Sequence, residues 1–196
     1  MFFNCFKLED VNVSKFNTKN SLSFKNMFYC CSSLKIIDVS KFDSSKCQNI
    51  IGMFYHCQNI NEINMINWNM ENIKNQKNDY FLFEYSSLNL PFLGLNPLGL
   101  AVGIIGYGAN TAVNKYKKSQ LPENISGIDR LFYGCKNLNL IKMNLNFKEI
   151  SELNNTNAFI GIPEFGSFIW KNDYKCDSIL NKLPISWNKN CQEYIN

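Results

Sequence analysis

An α/β solenoid is the fold class this sequence predicts, with one short parallel strand and one short helix in each of about five to six coils. Three observations predict it. The phrase (Met/Leu)-Phe-x-x-Cys-x-x-(Leu/Ile) stands at Met1, Met27 and Met53, 26 residues apart, and returns at Leu131. After each phrase, apolar residues alternate with polar ones. Before it, they recur at helical spacing. A fixed period of this size belongs to stacked repeats, because one unit cannot bury its apolar side alone.

The strand is read from Leu8, Val11 and Val13, matched by Leu34, Ile37 and Val39, by Ile60, Ile63 and Met65, and by Leu138, Ile141 and Met143. This is Leu-x-x-Leu-x-Leu, so the solenoid is leucine-rich-repeat-like, with one buried strand face. Phe16-Asn17, Phe42-Asp43 and Trp68-Asn69 come next, where Asn or Asp closes a turn through its own side chain. The helix is read from Cys47, Ile50, Met53 and Phe54, and again from Ser21, Phe24, Met27 and Phe28. Ile125, Ile128, Leu131 and Phe132 repeat it, with Gly134 where a helix C-terminus favours glycine. In-register stacking makes two core columns, Phe2, Phe28, Phe54 and Phe132 in one, Cys5, Cys31, Cys57 and Cys135 in the other. Free Cys suits such a place, since it packs as a small hydrophobe.

Residues 1–88 thus hold repeats one to three and the start of a fourth, near Phe81, with Tyr85 in the cysteine slot. Residues 89–120 are an apolar, Gly-rich insertion within that unit. Residues 121–160 run from the end of repeat four to the start of a sixth, and residues 161–196 form a C-terminal cap with Phe168, Trp170 and Trp187. In the insertion, Asn96-Pro97 suits a helix start, and Gly99, Gly103, Gly106 and Asn110 would share one narrow face. Its functional reading is membrane contact through Leu90–Val113. Its plainer reading is an apolar flap, because the uninterrupted run Leu98–Ala109 falls short of the roughly 20 residues a span needs.

Composition excludes more than it assigns. The net charge is +4, Arg130 is the sole arginine, and the lysines are scattered, so no nucleic-acid face is expected. His56 is the sole histidine, and its neighbour Cys57 belongs to the core column, which leaves a Cys–His pair unoriented. No glycine-rich phosphate loop is present. The reading is therefore not an enzyme and without a cofactor. Cys30, Cys31, His56 and Cys57 carry zinc-type side chains, but adjacent residues point apart and zinc needs four converging ligands, so no metal is expected. A Cys31–Cys57 bridge is geometrically conceivable, as is a Cys176–Cys191 staple in an exported protein. The triplets at Asn12, Asn124 and Asn154 match the glycosylation sequon, as an Asn-rich chain does by chance.

What remains is a surface. With Leu8, Val11 and Val13 inward, Glu9, Asp10 and Asn12 face out, followed by Lys35 and Asp38, by Asn61, Glu62 and Asn64, and by Lys142 and Asn144. Stacked, they make the polar sheet face with which solenoids bind partners. The start, MFFNCFKLEDVNV, has neither a basic leader nor a long apolar run, so no secretory signal is visible. The array begins at once, as in a piece of a longer protein.

The stretch Met27–Asp43, MFYCCSSLKIIDVSKFD, at its 26-residue period, resembles the BspA-type leucine-rich repeats, also called the bacterial surface protein 26-residue repeat. The ending LPISWN is similar to the close of such arrays, though Ile185 follows Pro184 where the pattern has it before. The resemblance implies a non-enzymatic, adhesion-like module at a cell surface or secreted, with a protein or glycan ligand.

Overall fold

The computed structural model describes residues 1–77, 124–148, 157–171 and 177–192. Contacts divide the chain into two compact units, Met1–Gln76 with Ser126–Asn196, and Lys77–Ile125. The first holds a five-stranded parallel sheet: β1 (Ile36–Asp38), β2 (Glu62–Met65), β5 (Leu140–Met143), β6 (Ser167–Lys171) and β7 (Asn188–Gln192), in that order. The second is described only around its ends, where β3 (Gln76–Lys77) and β4 (Asn124–Ile125) form a two-stranded sheet. The insertion of residues 89–120, with its membrane reading at 90–113, lies outside the described residues. Among those described, no helix is long and apolar enough to cross a membrane.

The sheet is in repeat register. Ile37 pairs with Ile63, Ile63 with Ile141 and Ile141 with Phe168, and all four side chains are buried. Strands are short because an Asx turn ends each one. Ser14 N–H donates to Asn12 Oδ1 at 3.0 Å, Ser40 N–H to Asp38 at 2.8 Å and Ile66 N–H to Asn64 at 3.3 Å. The aromatic-plus-Asn slot closes a second turn in the same way, at Asn17, Asp43 and Asn69.

The expected helix in each coil is a correction. Where described, the segment is a run of tight turns, and the one described α-helix is α1 (Asp177–Leu180) near the C-terminus. Met27, Tyr29 and Cys31 N–H donate back to Phe24, Asn26 and Phe28 at 3.1–3.2 Å. The residues between them bond outward instead: Phe24, Asn26, Phe28 and Cys30 donate to Asn49, Ile51, Met53 and Tyr55 of the next coil at 2.7–3.0 Å. Half the amides are therefore committed to the neighbouring coil and cannot close a helix. Left-handed residues recur four apart, Asn26 with Cys30, Gly52 with His56 and Arg130 with Gly134, and each reverses the helical sense.

The core lies between the sheet and the turns. Phe2, Phe28, Phe54 and Phe132 stack nearly parallel, with centroids 5.3, 5.6 and 6.1 Å apart, and Phe159 extends the stack at 5.6 Å. The cysteine column has a reason beyond size. Cys31, Cys57 and Cys135 thiols donate to the carbonyls of Phe2, Phe28 and Phe54 in the preceding coil at 3.0, 3.0 and 3.1 Å.

The C-terminal residues, expected only to cap the array, continue its sheet as β6 and β7. The step from Ile141 to Phe168 is 27 residues, one longer than the period, which agrees with Phe147 arriving one place late in the sequence. Trp187 packs on Gly166, where an added Cβ would lie 2.6 Å from the indole.

Candidate functional site

Alternation along the strands sends Ile37, Ile63, Met65, Ile141 and Met143 inward and leaves two registered rows outside. One is Ile36, Glu62, Leu140, Ser167 and Asn188; the other is Asp38, Asn64, Lys142, Ile169 and Asn190. Glu9, Asp10, Asn12, Lys35, Asp38 and Asn61 are exposed as expected, and Glu62, Asn64 and Lys142 are half-exposed. Asn144 is a correction. It is buried, and its Nδ2 donates to the Trp68 carbonyl at 2.9 Å, because it lies past the end of β5 where the chain turns in.

The charges of this face are paired along the coil axis. Lys35 Nζ meets Glu9 Oε2 at 2.9 Å, which lowers the Glu9 pKa and raises that of Lys35 through the shared hydrogen bond. Lys142 Nζ meets Glu62 Oε1 at 2.6 Å. Asn64 Nδ2 donates to Asp38 Oδ2 at 3.1 Å. Partial burial pushes the Asp38 carboxyl up, but hydrogen bonds from Ser40 and Asn64, with the charge of Lys142, hold it below its ordinary value. Ion pairs this exposed contribute little stability, about 0–1 kcal/mol each. They do hold rotamers in place.

Sequence reading missed the apolar members. Ile36 is 54% exposed, and Leu140 and Ile169 are half-buried. The signal was available, since a strand that buries Ile37 must turn Ile36 out. Ser167, Lys171, Asn188, Asn190 and Gln192 were missed because their segment does not repeat in sequence.

The other chemical candidates come apart in space. Burial pushes the Cys31 thiol up to about 12 and those of Cys57 and Cys135 higher, so none is a ready nucleophile. Cys31, Cys57 and Cys135 are unbridged; the Cys176 staple lies outside the described residues. Burial, with Lys136 nearby, lowers the His56 pKa. Among the described residues, no three His, Cys, Asp or Glu side chains gather for a metal. Phe3, Tyr29, Tyr55 and Tyr133 form a second aromatic ladder at 4.8, 4.6 and 5.1 Å. Its ring faces cover one another, so they are not open to a sugar or a base.

Fold and surface together define a class: a parallel-stranded repeat array with an ordered polar face. A family model described as Mycoplasma protein of unknown function, DUF285, matches residues 1–89, the stretch in which the 26-residue period is clearest. No curated protein and no solved structure matches the chain.

Proposed function

We propose that the chain is a non-enzymatic interaction module, of the BspA-like repeat kind, which binds a protein or glycan partner across the outer face of its sheet. One observation carries this reading. Five strands in register present fixed rows of polar side chains, with Ile36, Leu140 and Ile169 set among them. Pre-ordered side chains lose little entropy on binding, and an apolar centre within a polar rim is the usual anatomy of an interface. A glycan array and a displayed peptide library, each probed with the whole protein, would supply ligands. The triple variant Asp38→Ala/Asn64→Ala/Lys142→Ala is expected to bind them at least tenfold more weakly, about 1.4 kcal/mol. Ligands held equally well by wild type and variant would reject the sheet face.

A further inference from the structure

The third coil meets the fourth as completely as the first meets the second. Ile50, Gly52, Phe54 and His56 N–H donate to Gly127, Asp129, Leu131 and Tyr133 at 2.8–3.1 Å, the pattern by which Phe24 to Cys30 bond the third coil. Phe54 stacks on Phe132 at an interplanar angle of 7°. Yet Asn137 reaches Asn59 across 78 residues, where Lys35–Glu9 and Asn64–Asp38 span 26. The difference, 78 less 26, is 52 residues. The thiol ladder gives the same surplus: Cys135 to Phe54 spans 81 residues and Cys57 to Phe28 spans 29. Ile128 therefore stands one rung beyond Ile50, the place that Gln76 holds by count.

We infer that Gln76–Gly127 is an appended module, carried on a joint that closes without it, and not two worn coils of the array. Two coils of the array would separate Phe54 from Phe132 by two further rungs of roughly 5 Å each. The rings instead touch. Gly127 marks the seam: a Cβ there would lie 2.5 Å from the Lys74 carbonyl, so the returning strand of chain passes against the departing one with no room for a side chain. Whatever the module does is separable from the sheet face, which is complete in its absence.

Two variants of the whole protein test this. One deletes Gln76–Gly127, so that Asn75 takes the slot held by Asn49 one coil earlier. The other replaces residues 78–123 with a short Gly-Ser bridge. At least one is expected to unfold in urea as a single cooperative transition, with stability matching the parent within the ~10–15% precision of extrapolation. The parallel-sheet circular dichroism should also persist. Loss of the cooperative transition in both variants would overturn the inference.

Discussion

Gly134 and His56 hold the same slot of successive coils, both left-handed, with φ of 72° and 54°. The imidazole lies against the glycine, so an added Cβ would meet Nδ1 at 2.9 Å. Gly134→Ala therefore combines a clash with a left-handed penalty of roughly 1–2 kcal/mol. Urea unfolding should show a loss of at least that size. In a His56→Gly background the loss should shrink toward the backbone penalty alone; an unchanged loss would remove the clash from the account. Asp129 offers a pH test. Its side chain is buried, Oδ1 accepts the Asn157 N–H at 2.7 Å, and Oδ2 has no hydrogen-bond partner among the described residues. Burial raises its pKa, against the pull of Asn157 and Arg130. The folded state thus binds this proton more tightly than the unfolded chain. Asp129 is least costly below its unfolded pKa of about 3.9, and its cost grows as pH rises through the raised folded value. Asp129→Asn keeps the Oδ1 acceptor and removes the charge. It should be more stable than wild type at neutral pH, with the gain fading as the solution is acidified. A gain independent of pH would contradict this.

The turn segments show what a sequence can and cannot disclose. Cys47, Ile50, Met53 and Phe54 are buried, so the inward face was read correctly. Their spacing of three and four suits a helix, but a chain of turns closed three residues apart buries the same positions. The distinction lies in where the other amides go, and that is settled by the next coil, which no local window contains. Strand register, both core columns and the Asx turns were legible because each depends on one coil or on its exact repeat. Ile169 and Asn190 were not, because β6 and β7 fill the sheet without repeating its phrase. At this scale the phenylalanine stack gives a graded expectation. Phe54 is fully buried between two rings, whereas Phe2 is half-buried. Phe54→Ala should cost about 3–5 kcal/mol and Phe2→Ala distinctly less, as read from denaturant midpoints. Equal costs would mean that the stack is not the organising contact.

Across the whole array, each coil is held mainly by its neighbours, so stability should grade from the ends inward. Native-state hydrogen exchange should find the Phe54 and His56 amides, which bond the fourth coil, slower than those of Phe2 and Asn4, which bond the second. A uniform rate would instead mark one all-or-none unit. The sulfur ladder then acquires a practical meaning. Cys5 lies half-exposed at one end, and Cys31, Cys57 and Cys135 lie successively inside. A maleimide reagent can reach the inner thiols only when rungs part. The rates at which they are tagged therefore record, position by position, how far the array has unzipped, a clock that the chain carries without any added label.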